Sequence, residues 1–528
     1  MNEKLYLKQN VLAEPLINRW YAWSYLIAPA TAAMYIANSH LKIMRSFVSN
    51  PQVHISALKN PAMIGGPFIN YPASRVEEIE SLMGTTIKQQ ANMLELAEAI
   101  KTLDGVLSNE AEGYSLEPLY KKIPDALRGY VELVYDLNNN PSIRFIEGLL
   151  YNSPYYGQAA QGISLSIVDR DDRPFVFSTP RLDDEQHLNL NIPFCDERLD
   201  ELFRAKNLPQ SLGYMQDVLN IREKDYELLS SFFTNEAPPT RSNYTGDKLR
   251  IRYFGHACIL IETDSTSILL DPVVSYKIES GIARYTFTDL PETINYILIT
   301  HNHQDHCMLE TLLQLRHKTE NVIVPRSNSG ALADPSLKLA LQKTGFKNVR
   351  EIDEMETVSL LDGVITSLPF FGEHADLNIR TKTAYLITLK GKSVLCVADS
   401  NNLLAGIYDR VHEITGDLDM AFLGMECDGA PMSWLYGPLL TQPLARKMDQ
   451  SRRFDGSDFE KAVDIIRAFN PKQVYVYAMG QEPWLTYLTS IRYTEASRPI
   501  VESNKLVAEC AERGIVSERL YGRKEILL

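Results

Sequence analysis

Cysteine is scarce in this chain and is not spaced for a structural role. Six cysteines occur among 528 residues, and no two of them form a Cys-x-x-Cys pair. This pattern argues against a disulfide framework. We therefore expect buried free thiols in the reducing environment of the cytoplasm. The six residues are Cys195, Cys258, Cys307, Cys396, Cys427 and Cys510.

An excess of positive charge is also absent. The 53 Lys and Arg residues are outnumbered by 67 Asp and Glu residues, which gives a formal net charge of -14. Binding to the phosphates of nucleic acid requires a basic face. The composition therefore argues against a nucleic-acid partner. The hydrophobic content of 45% is enough for two sizeable cores in a chain of this length.

Long hydrophobic segments are missing except at residues 20–37, WYAWSYLIAPATAAMYIA. Pro29 interrupts this segment, which is at the short end of the lengths that span a bilayer. It also begins too far from Met1 for a typical signal peptide. We predict a buried or dimer-facing pair of helices here, and no membrane span.

A polar segment divides the chain near its middle. Residues 234–247, TNEAPPTRSNYTGD, have no apolar period and are rich in turn-forming residues. We place a domain boundary there, with an N-terminal domain over 1–245 and a second domain over 246–528. The first carries predicted helices and strands and is expected to be α+β, with helices over 74–103 and 209–233 and strands over 163–168 and 188–192.

The second domain alternates short β-rich runs with helices. A helix over 457–469 carries an apolar stripe and leads into a strand over 473–477. Such alternation predicts two sheets packed between helical layers, which is an α/β sandwich.

Histidine is uncommon, yet three of the ten histidines lie within residues 300–306, THNHQDH. An apolar run over 296–299 precedes them, so the ligand candidates His301, His303, Asp305 and His306 follow a predicted strand. Imidazole and carboxylate groups crowded at a strand end can hold one or two divalent ions. The alternative is a polar loop that is rich in histidine by chance, and the close spacing makes that improbable.

Candidate ligands also occur later in the chain. Asp399 closes a predicted strand over 393–398, and Glu373 lies beside His374. Successive side chains point in opposite directions, so only one of this pair can readily face a metal, and spacing alone leaves the choice open. The only histidine after Asp399 is His412, on a predicted helix face. Histidine ligands are therefore scarce in the later part of the chain, whereas acidic residues are plentiful there.

Other residues near these positions have open roles. His256 either lies near the metals or is a core histidine bonded to backbone, and Asp271 either orients a ligand or ends a strand. Glu426 follows a predicted strand over 420–423, and we favour it as an acid that faces the metals or the substrate. Three aromatic residues are either core or the walls of a pocket: Trp434, Tyr436 and Trp484.

The HxHxDH spacing of residues 301–306 resembles the signature of the metallo-β-lactamase superfamily. Residues 251–262 and 267–272 resemble its opening hairpin, and 368–377 and 394–400 stand where the superfamily supplies later ligands. The resemblance implies a metallo-β-lactamase αββα sandwich preceded by the α+β domain. It leaves the chemistry open, because this scaffold hosts zinc hydrolases, phosphodiesterases and iron-dependent redox enzymes.

Over essentially its whole length the chain resembles the diiron β-hydroxylases, the family of the enzyme that acts in chloramphenicol biosynthesis. In that family a glutamate replaces the usual histidine ligand, and Glu373 matches it. The resemblance also supports Glu426 as a catalytic acid. It implies two iron ions, one held by His301, His303 and Glu373, with Asp305, His306 and Asp399 on the other or between both.

The family resemblance implies a non-haem diiron oxygenase. It would use O2 to β-hydroxylate an amino acid held as a thioester on a carrier domain of a non-ribosomal peptide synthetase. The implied partners are the carrier protein, an external electron donor and a second copy of the chain, docked through the N-terminal domain in the cytoplasm. Two alternatives are a dinuclear zinc or manganese hydrolase, acting as a lactonase or phosphodiesterase without O2, and a non-catalytic carrier-binding protein.

Overall fold

A computed structural model describes residues 4–239 and 243–528. The N-terminal region combines short strands and helices, in agreement with the α+β prediction. Its strands are β1 Lys4–Leu7, β2 Val11–Ile17, β3 Trp20–Tyr21, β4 Val131–Tyr135, β5 Pro141–Phe145, β6 Gln161–Ile167, β7 Leu188–Leu190, β8 Gln210–Ser211 and β9 Phe233–Thr234. Its helices are α1 Ser24–Ile27, α2 Pro29–Tyr35, α3 Leu41–Ser49, α4 Pro51–Leu58, α5 Val76–Gln89, α6 Ala91–Glu110, α7 Glu147–Leu150, α8 Arg198–Arg204, α9 Leu212–Leu219 and α10 Tyr226–Ser231.

The linker predicted over 234–247 is only partly described, because residues 240–242 lie outside the described part of the chain. On its two sides, β9 ends at Thr234 and the next strand begins at Arg250. The division at residue 245 stays a prediction.

The apolar segment 20–37 is buried within the chain itself. It forms β3, α1 and α2, and the chain then enters a π-helical turn. The Trp20 ring stacks on His40 with a centroid distance of 4.0 Å, and the Tyr35 hydroxyl donates a hydrogen bond to the backbone oxygen of Leu435. The prediction of buried helices is confirmed. A dimer-facing surface is wrong for this segment, because other residues of the same chain cover it. Among the described residues, no helix combines the length and apolar character needed to cross a membrane.

Two seven-stranded sheets form the second region, which confirms the predicted sandwich. The first sheet has the order β15-β14-β13-β12-β11-β10-β23, with strands β10 Arg250–Gly255, β11 Cys258–Glu262, β12 Ser267–Leu270, β13 Ile294–Leu298, β14 Thr319–Pro325, β15 Val349–Ile352 and β23 Lys524–Leu527. The second has the order β16-β17-β18-β19-β20-β21-β22, with strands β16 Thr357–Ser359, β17 Gly363–Leu368, β18 Ala384–Leu389, β19 Lys392–Cys396, β20 Met420–Gly424, β21 Gln473–Tyr477 and β22 Val516–Arg519. The helices are α11 Leu309–Leu315, α12 Leu337–Lys343, α13 Ile407–Thr415, α14 Ser433–Tyr436, α15 Arg446–Ser451, α16 Phe459–Phe469, α17 Thr486–Thr489 and α18 Arg498–Glu512.

Both faces of each sheet are apolar, because the strands are covered on both sides. In β12, Ile268 and Leu270 pack between the two sheets, whereas Leu269 packs on the outer face. In β19, Val394 packs between the sheets and Leu395 packs outward. This alternation follows from the two-residue period of a strand, and it explains why the strands are continuous hydrophobic runs.

Different partners cover the outer faces of the two sheets. The outer face of the first sheet shares one hydrophobic core with the N-terminal region, whereas the second is covered by α13, α16 and α18. A buried ionic network also links the N-terminal region to α11. Arg173 donates to Glu14 at 2.8 Å and to Glu310 at 2.9 Å. Burial opposes ionisation of Glu14, but the charges and hydrogen bonds of Arg181 and Arg173 lower its pKa to about 2.

The predicted helices are present, with different boundaries. The helix predicted over 74–103 is two helices, α5 and α6, and the one predicted over 209–233 is α9 and α10. Asn220, in the left-handed conformation with φ of 53°, ends α9. The helix predicted over 457–469 begins at Phe459, because the Asp458 side chain caps it. The strand 473–477 is present as β21.

Candidate metal centre

The histidine motif follows β13 of the first sheet and is buried. His301, His303 and His306 are at most 7% exposed, and Asp305 is half-buried. The N-terminal region supports this loop directly, because the hydroxyl of Ser24 hydrogen-bonds to the Asn302 side chain. The loop that follows the buried strand β13 therefore directs the side chains of residues 301–306 toward one point.

Carboxylates reach the same point from the second sheet. Glu373 lies in the loop after β17, and Asp399 lies in the turn after β19. Glu373 adopts the left-handed conformation, with φ of 61°, as does Ala398, with φ of 47°. Non-glycine residues rarely adopt this conformation, and it concentrates at functional sites where the surrounding fold holds it.

Donor atoms from the two sheets lie within a few ångströms of each other. Glu373 Oε1 is 2.9 Å from His303 Nδ1, and its Oε2 is 3.7 Å from His301 Nε2. Asp399 Oδ2 is 3.0 Å from His306 Nε2 and 3.8 Å from His301 Nε2. Two sets of potential ligands follow from these contacts: His301, His303 and Glu373, and His301, His306 and Asp399.

Asp305 belongs to a third set, which includes a residue whose role the sequence left open. His256 follows β10, and its Nε2 is 3.2 Å from Asp305 Oδ2. Together with His306, these residues form a third potential ligand group. The structure thus brings all six predicted ligands to one centre and places His256 beside them. The sequence left the role of His256 open, although its place in the first hairpin is one where the superfamily often keeps a residue near the metals.

The neighbouring His374 lies behind Glu373. Its ring packs on His303 with centroids 4.5 Å apart, and its Nδ1 is 3.2 Å from Glu373 Oε2. It is absent from the three potential ligand groups found among the described residues. The geometry therefore favours the Glu373 carboxylate as the group that faces the centre.

Several buried nitrogen and oxygen atoms that could bind a metal at this point lack a hydrogen-bond partner within residues 4–239 and 243–528. They are the Nε2 atoms of His256, His301, His303, His306 and His374, Glu373 Oε2 and Asp399 Oδ1. Buried polar atoms are normally satisfied, so a cluster of this size requires another binding partner. Imidazole nitrogens with carboxylate oxygens form the ligand set of non-haem iron and related metals. The residues therefore fit a dinuclear metal centre.

Asp271 orients the ligands from behind. Its Oδ2 is 2.8 Å from His306 Nδ1, and it accepts hydrogen bonds from the backbone and the hydroxyl of Thr300. The Thr300 hydroxyl lies 3.0 Å from His301 Nδ1. These contacts place the ring protons on the Nδ1 atoms, so that the Nε2 lone pairs face the centre. Of the two roles left open for Asp271, the structure favours the orienting one.

The charges of the site favour a bound cation. Burial raises the pKa of Glu373 to about 7. Burial, followed by the charge of Asp399, raises the pKa of Glu426 well above its ordinary value. Burial opposes a charge on His306, but the Asp399 and Asp271 carboxylates outweigh it and raise the pKa of His306. Crowded carboxylates of this kind hold protons in place of the positive charge that a metal ion supplies.

A cavity of about 580 Å³ opens onto the centre. Glu426 lines it together with Glu373 and Asp399, and the Tyr493 hydroxyl donates to Glu426 Oε1 at 3.4 Å. Glu426 is outside the three ligand groups, so it faces the cavity as an acid near the centre.

The N-terminal region forms one wall of this cavity. Residues 62–68 line it, and the Trp434 indole holds this segment by donating to the backbone oxygen of Gly65 at 3.1 Å. Of the three aromatic candidates, Trp434 lines this cavity, whereas Tyr436 and Trp484 are core residues. Sequence reasoning missed the 62–68 wall, because no residue in it carries a chemical signal.

Comparisons with known proteins extend over the whole chain. A family model described as "Diiron non-heme beta-hydroxylase N-terminal domain" matches residues 6–238, and one described as "Beta-lactamase superfamily domain" matches 250–399. The 4-amino-L-phenylalanyl-[CmlP-peptidyl-carrier-protein] 3-hydroxylase of Streptomyces venezuelae is 39% identical over 531 residues, which cover 99% of each chain. The crystal structure of CmlA, a diiron β-hydroxylase from the same organism, matches with a TM-score of 0.93 at 38% identity and covers 100% of both chains. A metal-dependent hydrolase of Flavobacterium johnsoniae is 27% identical over 199 residues, or 34% of this chain and 81% of that protein.

Proposed function

Because the chain belongs to the family of non-haem diiron β-hydroxylases, we propose that it β-hydroxylates an amino acid held as a thioester on a carrier domain of a non-ribosomal peptide synthetase. The full-length relative of Streptomyces venezuelae acts on an amino acid bound to a peptidyl carrier protein. Its similarity spans both regions of the chain, and not the metal domain alone. This supports a shared reaction type and a carrier-bound substrate.

The observation that carries the proposal is the mixed set of unsatisfied donors between the two sheets. His301, His303 and Glu373 would hold one iron, and the other proposed ligands are Asp305, His306 and Asp399. When bound, the two irons supply the activation of O2 that cleavage of a C–H bond requires, because acid and base side chains lack the oxidising power.

The residues of the chain position the substrate and control its surroundings. The cavity of about 580 Å³ is larger than one amino acid and has room for part of the thioester arm. Apolar side chains, among them Leu435, Phe454 and Met479, line it and limit the access of water. Glu426, which is half-buried beside the centre, holds a proton more readily than an exposed carboxyl group and can exchange it within the cavity.

The reaction defines the partners. Inserting one oxygen atom of O2 into a C–H bond and releasing the other as water consumes two electrons and two protons, so an external electron donor is required. We propose a homodimer from the family resemblance. The same resemblance, together with six free cysteines, of which five are buried, supports action in the cytoplasm.

The test uses the full chain purified from iron-supplemented cells. Metal analysis should give about two irons per chain, and His303→Ala should lose most of one. With reductant and O2, mass spectrometry of candidate aminoacyl carrier proteins should show the gain of one oxygen atom. Free amino acid at the same concentration should react poorly, because the carrier and its pantetheine arm contribute binding energy.

A dinuclear hydrolase would behave differently. Two tightly bound zinc ions with hydrolytic turnover, and no O2-dependent product after reconstitution with iron, would overturn the proposed function.

A further inference from the structure

His256 is held in place by more contacts than a simple turn needs. It follows Gly255 at the end of β10 and is 2% exposed. Its φ of 51° lies in the left-handed region, which is costly for histidine. The segment after β21 clamps it, because the Ala478 backbone N–H donates to the His256 backbone oxygen at 3.0 Å. The fold therefore fixes the direction of this ring.

The same segment determines which ring nitrogen carries the proton. The Gly480 backbone N–H donates to His256 Nδ1 at 3.2 Å. A backbone N–H can only donate, so Nδ1 must present its lone pair. The proton of the neutral ring is then on Nε2, which is 3.2 Å from Asp305 Oδ2. This arrangement directs the Nε2–H toward the carboxylate, which lies within contact distance.

The predicted ligands His301 and His306 have the opposite arrangement. His306 Nδ1 faces the carboxylate of Asp271, and His301 Nδ1 faces the hydroxyl of Thr300, whose proton is donated to Asp271. Both rings therefore carry their proton on Nδ1 and present a lone pair at Nε2. His256 differs from them although its Nε2 lies at the same centre.

We propose that His256 is a positioning residue and not a metal ligand. Its Nε2–H faces Asp305 Oδ2 at 3.2 Å and would hold the carboxylate in the orientation that binds the second metal ion. This inference rests on the proposed metal centre. It assigns a function to the segment 478–480, which carries no histidine and instead supplies backbone N–H groups that hold His256.

Two substitutions separate the roles of the two ring nitrogens. In His256→Gln, the side-chain amide nitrogen reaches about as far as Nε2 and can still donate to Asp305. In His256→Asn, the side-chain oxygen can replace Nδ1 as the acceptor for Gly480, but the amide is too short to reach Asp305. Asparagine also tolerates the left-handed conformation, so this variant should fold.

The measurement is Co²⁺ titration of the full-length apoprotein, followed by visible absorption, with the melting temperature of the apoprotein as the control for folding. His256→Gln should bind two ions with affinities within about threefold of wild type. His256→Asn should bind one of the two about 10–100-fold more weakly, the usual cost of removing a group that orients a ligand.

Two results would overturn the assignment. Loss of one ion in both variants would make His256 a ligand, and wild-type affinities in both would remove any positioning role. Because the readout is metal affinity, it is independent of hydroxylation. A chain that binds two ions and shows the expected difference between the variants, but does not oxidise carrier-bound substrates, would refute the proposed function alone.

Discussion

The two sheets of the second region contribute different chemical groups to one centre. The ends of β10 and β13 in the first sheet supply the imidazoles and one carboxylate, Asp305, and Asp271 at the end of β12 lies behind them. The ends of β17, β19 and β20 in the second sheet supply Glu373, Asp399 and Glu426. Imidazole provides a fixed nitrogen donor, whereas a carboxylate can bind through one or two oxygens. The second sheet therefore supplies two of the three proposed carboxylate ligands, which are the adjustable ones, and no imidazole ligand within the described part of the chain.

The two sheets also differ in what supports them. The outer face of the first sheet packs against the N-terminal region, and Ser24 of that region contacts the histidine loop. The outer face of the second sheet packs against α13, α16 and α18 of the same region. The N-terminal region thus supports the histidine loop, residues 300–306, which we call the imidazole half of the site. Removing residues 1–245 would expose the outer core of the first sheet to water.

The largest expected effect tests which residue of the adjacent pair is the ligand from the second sheet. Glu373→Ala should abolish hydroxylation and disturb iron binding, because it removes a carboxylate 2.9 Å from His303 Nδ1. His374→Ala should retain iron and measurable turnover. Iron analysis and single-turnover assays on the carrier-bound substrate measure both.

Reversed effects of these two substitutions would contradict the assignment of Glu373 as the ligand from the second sheet. They would give the second sheet an imidazole ligand, as in the ordinary superfamily arrangement, and would favour the hydrolase alternative.

The two halves also differed in how far the sequence predicted them. Three histidines within six residues after an apolar run predicted the imidazole half, because its ligands are local and lie at the end of one strand. Glu373 and Asp399 are ordinary acidic residues in sequence, and the family resemblance was needed to select Glu373 over His374. Their convergence depends on the pairing of β17 with β18 and of β18 with β19, which are long-range contacts.

Other features could not be predicted because they depend on tertiary contacts. The Trp20 segment was apolar enough to suggest an interface, but its cover comes from distant residues such as Leu435. The role proposed for His256 depends on a hydrogen bond from Gly480, which is 224 residues away. Helix boundaries shifted where a neighbouring side chain capped the helix, as Asp458 does for α16.

A smaller effect is expected at Glu426, which we propose as an acid and not as a metal ligand. Glu426→Gln should retain both irons but slow hydroxylation by about 100-fold, the scale expected when a positioned proton donor is removed. Tyr493→Phe removes only the hydrogen bond to Glu426 and should slow it less. Loss of an iron in Glu426→Gln would instead place this carboxylate among the ligands.

The smallest effect concerns the contact between the N-terminal region and the first-sheet side of the sandwich. Glu147 in α7 accepts a hydrogen bond from the Ser336 backbone N–H at 2.9 Å, at the start of α12. Burial raises its pKa from 4.5 to about 7.

As pH rises from about 4.5 to 7, the unfolded chain releases the Glu147 proton before the folded chain does. The free energy of unfolding therefore falls over that range, and the loss of stability persists above it. After allowance for solvent screening of this partly exposed group, the loss is on the order of 1 kcal/mol. Glu147→Gln keeps an oxygen acceptor for Ser336 and removes the titration. Between pH 5 and pH 8, the melting temperature of wild type should therefore drop by about 1–2 °C more than that of the variant. Equal losses in the two proteins would show that the contact between the N-terminal region and the imidazole half does not depend on the charge of Glu147.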